Sequence, residues 1–403
     1  MPSRYASLSR AELAALVPEL LLIGQLIDRS GMAWCISAWG REEMARVAVE
    51  EWAGASPVYT RRMQRALGYE GTDVVTIFKG LQLDIGAPPQ FMDFRYEVHD
   101  RWHGTFRLDH CGALMDVEPL GEEYVVSMCH DIEDPTFDAT AVATNPHARV
   151  RPVHRPPRSP ADRRPHCEWT VGIDDAHPPV EPLAPYFTIE RTRAATVELD
   201  PIDPGDEGAA DYSGPLLSDV DFSRFSRSAL ARIADEVCLQ MHLLNLSFGL
   251  AVRTRASDAA QADEVLTKQL VGVAGVAAER IARVLGLDDP LRVLELHPLL
   301  NPAAYVTGAV RGADLSVAPS PASADGAWIA LCGPGRERPL RAIVQAVDPC
   351  ADVEVAGDRD RWTATLVRRD EPAPVADEVA VTRVSTGAGF VFEPRRSLPI
   401  TPV

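Results

Sequence analysis

Thiol, imidazole and carboxylate side chains crowd one stretch of this chain. Eight of its ten histidines lie between residues 99 and 177: His99, His103, His110, His130, His147, His154, His166 and His177. Three of its seven cysteines, Cys111, Cys129 and Cys167, share that stretch. Thiolates and imidazoles suit zinc or another transition metal. His110, Cys111, Cys129, His130 and Cys167 are therefore the candidate metal ligands. No paired CxxC ribbon is present, so residue type carries this reading, not a motif. The same residues also suit nucleophilic catalysis, with Cys129 attacking, His130 moving protons and Asp131 orienting its neighbours. A plainer reading competes: surface histidines scattered on loops, and small buried cysteines acting as hydrophobes.

An arginine run (Arg149, Arg151, Arg155, Arg158, Arg163, Arg164) stands out in an acidic chain. Arg151 falls in a predicted strand, where its fork can hold a substrate carboxylate with His154 nearby. The other arginines lie in or near a proline-stiffened loop.

The elements that position these residues follow from periodicity. Ser9 and Glu12 form a capping-box signature before the apolar run Leu13, Leu16, Val17 and Leu20. Helical spacing continues to about residue 83, with Trp34, Trp39 and Trp52 packing the core or, as the alternative, lining a ligand pocket. From Phe94 the period shortens. Strands are expected at 94–99, 104–109, 124–128, 149–153 and 167–173, with a short helix at 134–144. If residues 124–131 run extended, Cys129 and Asp131 face one side and His130 the other. Two long helices return at 229–252 and 259–285, the second closed by Gly286.

The two halves can be laid over one another. Arg65-Ala-Leu-Gly68 matches Arg283-Val-Leu-Gly286, and Tyr96 matches Tyr305. The Cys129 segment matches Trp328 to Cys332, Asn145-Pro matches Asp348-Pro, and Glu168-Trp-Thr matches Arg361-Trp-Thr. The expected fold is α+β: a tandem duplication of a helical segment followed by a small, mainly antiparallel sheet with a short helix. The expected units are 1–175 with the Cys/His cluster, an irregular Pro/Asp/Gly-rich linker at 176–220, and a degenerate second unit at 221–403. Such a repeat implies a pseudo-dimer burying related faces within one chain. The second copy keeps a cysteine at Cys332 but has Gly333 and Pro334 where the first has His130 and Asp131, and Asp360 in place of Cys167. Cys35, Cys238, Cys332 and Cys350 read as structural.

Composition bounds the partners. The chain has 403 residues, 46% hydrophobic and 24% charged, with a net charge of −18. That composition is globular, and its negative surface disfavours nucleic acid and anionic membranes. The most apolar run, Leu20 to Trp39, carries Asp28 and Arg29, which fits a buried helix better than a membrane span. A cytoplasmic location with free thiols is expected, a homo-oligomer is compatible, and no nucleotide-binding or common hydrolase motif occurs.

The order of motifs in the first half resembles the L-2-amino-thiazoline-4-carboxylic acid hydrolase family. The likeness rests on a strand ending in Cys111, then Cys129-His130-Asp131, a short helix, an Arg-bearing strand and Cys167-Glu168-Trp169. It covers roughly residues 20 to 173 and implies Cys111, Cys129, Asp131 and Cys167 as signature positions. The His after Cys129 and the Pro/Arg insertion before Cys167 depart from the family pattern. The expected function is a hydrolase or lyase for a small carboxylated nitrogen- or sulfur-containing molecule. The alternatives are a small-molecule sensor with a structural zinc, and a scaffold that binds a partner protein.

Overall fold

Ser9 opens the first long helix with the reciprocal cap that its spacing to Glu12 predicts. Its hydroxyl accepts the Glu12 N–H, and the Glu12 carboxylate accepts the Ser9 N–H at 2.7 Å. The computed structural model describes residues 2–384, 392 and 395–402. Helix α1 (Arg10–Trp39) turns at Gly40 into α2 (Arg41–Ala66). α3 (Val74–Gln82) leads to strands β1 (Met92–Val98) and β2 (His103–Cys111). Then come α4 (Gly112–Val117), α5 (Glu122–Val126), a π-helical segment at Ser127–Ile132 and α6 (Glu133–Val142). β3 (Ala148–His154) and β4 (Cys167–Ile173) complete the first sheet. A largely irregular stretch follows, with α7 (Ala184–Ile189) and α8 (Arg193–Thr196).

The plan then repeats. α9 (Arg227–Arg255), α10 (Ala259–Leu285) and α11 (Pro290–Leu296) precede β5 (Gly308–Arg311) and β6 (Asp314–Val317). α12 (Pro321–Asp325) and α13 (Arg338–Val347) precede β7 (Ala351–Gly357) and β8 (Trp362–Arg368), and α14 (Asp377–Val384) comes last. The two sheets are antiparallel and share one strand order, β1-β2-β4-β3 and β5-β6-β8-β7. The protein is thus α+β and duplicated, as the sequence matches imply.

The copies meet through their long helices, α1 against α10 and α2 against α9. Equivalent residues make equivalent contacts. Arg62 of α2 pairs with Glu236 of α9 at 2.9 Å, and Arg280 of α10 pairs with Glu19 of α1 at 2.6 Å. Counted from the N-caps Ser9 and Ser226, Glu19 and Glu236 hold the same position. Counted back from Gly68 and Gly286, so do Arg62 and Arg280. Ser30 sits against Gly272 while its counterpart Ser247 sits against Gly54, and a Cβ on either glycine would collide with the serine hydroxyl. These pairs describe an internal two-fold, closed by the same charges and the same close approaches on each side.

One expected strand is instead helical. Residues 124–128 lie in α5 and the π-helical segment. Glu122 and Glu123 occupy the first turn, where acidic groups favour a helix start. Val125, Met128, Cys129 and Ile132 are buried at three- and four-residue spacings, which suits a helix face. The matching Trp328–Leu331 is a short 3-10 turn. Because the segment is helical, Cys129, His130 and Asp131 fan out around an axis and do not alternate across a sheet. The inner face of the first sheet packs on α6 through Phe137, whose ring lies 5.3 Å from Phe106 and 5.0 Å from Trp169.

Candidate active site

The residues singled out from the sequence divide into separate places. Cys111, Cys129 and Cys167 are buried and gather around Glu133, each in its electrostatic reach. Burial pushes all three thiols up, Cys111 to about 12, so they stay protonated at neutral pH. A protonated thiol is a poor nucleophile and a poor metal ligand. His110 stands apart with His166, their rings 5.9 Å apart. His130 Nε2 bonds the Pro156 carbonyl at 2.7 Å. The five proposed ligands are therefore not one cluster, and no group of three His, Cys, Asp or Glu among the described residues is placed to hold a metal ion.

The remaining candidates are also dispersed. Asp131 is exposed and lines a broad surface cleft between α2 and α7. Arg151 is half exposed and pairs with Asp138 at 2.9 Å, so it braces β3 against α6 and does not wait for a substrate. His154 lies 3.8 Å from Glu168 on the neighbouring strand. The loop arginines are occupied too, Arg155 by Asp134 and Arg158 by Glu118 at 2.8 Å.

A different set of groups converges on a cavity of about 80 Å³ inside the first copy. α1 contributes Gln25, Asp28 and Arg29; α2 contributes Trp52 and Tyr59; the loop after α3 contributes Asp84 and Gly86. Phe94 of β1 and Glu133 and Phe137 of α6 close it. The π-helical segment ends at Ile132, one residue before Glu133, and such irregular turns recur at functional sites.

Each charge in this cavity has a defined environment. Asp28 and Arg29 are neighbours in a buried helix and pair through Arg29 Nε at 2.8 Å. Trp52 Nε1 donates to the other Asp28 oxygen at 3.1 Å. Asp84 accepts the Tyr59 hydroxyl at 2.9 Å and the Gly86 N–H at 2.7 Å, both on Oδ1. A side chain at residue 86 would come within 3.1 Å of that oxygen and of the Trp52 ring, so glycine lets the backbone approach.

Burial sets the proton affinities. It lifts Glu133 to about 8, against the opposing pull of the Arg155 charge. Glu133 Oε2 is buried with no hydrogen-bond partner among the described residues. Burial also lifts Asp84, but the Gly86 and Tyr59 bonds favour its charged form and hold it to about 6. Glu51 lies on α2 within electrostatic reach of Asp28, with both oxygens buried and unpartnered among the described residues. Burial, then the Asp28 charge, drives it well above the usual carboxyl range.

No family model matches the chain, and no curated protein or solved structure matches it. The site therefore stands on its own geometry.

The second copy does not keep these acids at the equivalent helix positions. At the position of Asp28 stands Asn245, and at that of Glu51 stands Gln269. They bond each other, Asn245 Nδ2 to Gln269 Oε1 at 2.9 Å. Arg29, Trp52 and Tyr59 become Leu246, Leu270 and Ala277. His242, in the place of Gln25, packs its ring 5.0 Å from Tyr305 and 5.3 Å from Trp328, both fully buried. Sequence reasoning missed Asp28, Arg29, Glu51, Asp84 and Glu133. A signal did exist: a charged pair stands within a helix otherwise apolar enough to be buried, where charges are almost never found unless paired.

Proposed function

We propose that the first copy is a hydrolase or lyase for a small nitrogen-containing molecule, with Glu133 as general acid and Asp84 as general base. The observation that carries this reading is two carboxyls in one cavity with proton affinities pushed apart, to about 8 and about 6. Near neutral pH the first holds its proton and the second has released it, which divides the acid and base roles. In the hydrolytic form, Asp84 takes a proton from water as the water oxygen bonds to a carbon attached to nitrogen. The carbon–nitrogen bond breaks, and Glu133 gives its proton to the departing nitrogen. Tyr59 and Gly86 hold Asp84 in place. The unpartnered Oε2 of Glu133 leaves that group free to donate.

The likeness to the thiazoline-carboxylate hydrolases supports the same reading. Three of its signature positions, Cys111, Cys129 and Cys167, are buried within electrostatic reach of Glu133. A nucleophilic Cys129 is not needed, and Arg151 is not the group that receives a carboxylate.

The test is a turnover panel of 2-amino-thiazoline-4-carboxylate, open-chain amidines and N-carbamoyl amino acids, read by release of ammonia or thiol. The expected result is turnover of at least one member, lost by a factor of about 10² or more in Glu133→Gln and retained in Cys129→Ala. Full activity in E133Q, or loss only in C129A, overturns the assignment. Binding of a panel member without turnover makes the site a receptor instead.

A further inference from the structure

The inner cavity is not isolated. Ala87, Met92 and Phe94 form a wall that it shares with a second, larger chamber of about 480 Å³. That outer chamber lies between α1 and β1 and is mostly apolar, lined by groups such as Ala14, Pro18, Tyr96 and Phe222. Its roof is the segment at 395–400, which runs beside residues 216–218. Ser218 N donates to the Leu398 carbonyl at 2.7 Å, and Ile400 N donates to that of Leu216 at 2.8 Å. Arg395 pins the roof, gripping both oxygens of Asp93 at 2.7 and 2.9 Å and Asp219 at 2.8 Å. Arg95 pairs with the same two aspartates at 2.9 and 3.5 Å, so two arginines balance two carboxylates, and the chamber offers a largely apolar interior of the size that holds small organic ligands.

The inner cavity has the opposite character. Arg29 cancels Asp28, protonated Glu133 adds no charge, and Asp84 above its pKa of about 6 leaves a negative surplus. Gln25, only 3% exposed, presents an Oε1 with no partner among the described residues. Trp52 and Phe94 supply aromatic surface. Surplus negative charge, an unfilled acceptor and ring faces together select a cationic N–H-rich group.

We infer that the substrate has two parts, a cationic amidine-like nitrogen head for the inner cavity and an apolar tail that passes Met92 and Phe94 into the outer chamber. This inference rests on the proposed reaction only for the role of the head. The tail follows from the shared wall and from the apolar lining.

Calorimetric titration of the full chain with acetamidine, hexanamidine and decanamidine tests it. Affinity is expected to rise about tenfold for every two methylenes, as burial of each adds roughly 0.8 kcal/mol. Ala15 lines the outer chamber from an exposed position. Ala15→Trp should fill the chamber without disturbing the fold, weaken decanamidine at least about tenfold and leave acetamidine unchanged. A flat series, or an A15W variant that binds decanamidine normally, overturns the tail. Decanamidine bound no better than decanol overturns the cationic head. The Glu133→Gln turnover assay is independent of both outcomes, so a failed tail and a failed reaction are distinguishable.

Discussion

The same two helix positions are solved differently in the two copies. In the first, Asp28 and Glu51 lie buried near each other, one tied to Arg29 and Trp52, the other with both oxygens unpartnered among the described residues. In the second, Asn245 and Gln269 occupy those positions and satisfy each other with one amide hydrogen bond. The framework around them is kept: the Arg–Glu pairs, the serine–glycine approaches and the strand order recur. A neutral amide pair is the low-cost way to fill such a position, because a buried charge is expensive and a satisfied amide is not. Retaining acids in one copy is a stability cost, and the cavity beside them is what it maintains. The second copy fills the equivalent region with the packed rings of His242, Tyr305 and Trp328.

The largest expected effect breaks the comparison at its chemical end. Glu133→Gln removes the acid while keeping the shape, and turnover should fall by a factor of about 10²–10⁴. The wild-type profile should be bell-shaped. Activity rises as Asp84 releases its proton near pH 6 and falls as Glu133 loses its own near pH 8. In E133Q the upper limb should vanish from whatever activity survives. An upper limb that persists assigns it to another group.

Next comes the buried ion pair. Asp28→Asn imitates the second copy at one position only and takes from Arg29, 8% exposed, its hydrogen-bonded carboxylate, leaving the pull of Asp116. The expected loss is about 3 kcal/mol of unfolding free energy in urea. Adding Arg29→Leu completes the imitation, since Leu246 stands there in the second copy, and should recover most of that loss. If the double variant is no more stable than the single one, the copies differ in packing more than in charge.

A third test sharpens the comparison at the interface. The Arg62–Glu236 side chains are 7% and 2% exposed, whereas Arg280–Glu19 are 18% and 21% exposed. Equivalent by position, they are unequal in solvation. Arg62→Met should cost about 3 kcal/mol and Arg280→Met about 1 kcal/mol. Equal losses would show that the pairs act through geometry alone.

How much of this was legible beforehand divides along physical lines. The fold was legible where period and caps agree: Ser9 with Glu12, the long helices ending at Gly68 and Gly286, and the strands around Phe106 and Trp169. The duplication was legible because a scaffold must keep its apolar positions in both copies. The π-helical segment was not, since Tyr124 to Met128 is short and apolar and its burial suits strand or helix alike. The cluster of histidines and cysteines was a true local excess, and it lies in the copy that holds the acid-lined cavity. It did not point to the cavity acids, because thiols draw attention as reactants, whereas here all three are buried with raised proton affinities. Asp84 and Glu133 lie far apart in the chain, and neither sits in a motif. Only the folded chain brings them together.

The smallest expected effect concerns Glu51. In the folded chain its proton affinity is raised, so it stays protonated at pH values where the unfolded chain has ionised. The folded state then binds more protons than the unfolded one, and stability falls as pH rises above the ordinary carboxyl range. Glu51→Gln, which copies Gln269, removes that dependence. The amide brings N–H groups that need acceptors, which holds the net gain to about 1 kcal/mol at neutral pH. Near pH 3 both forms of residue 51 are largely neutral in either state, and the gain should disappear. Urea midpoints at the two pH values measure it. A gain that is the same at both would mean that Glu51 is ionised in the folded chain, and that the two copies differ less in charge than their side chains suggest.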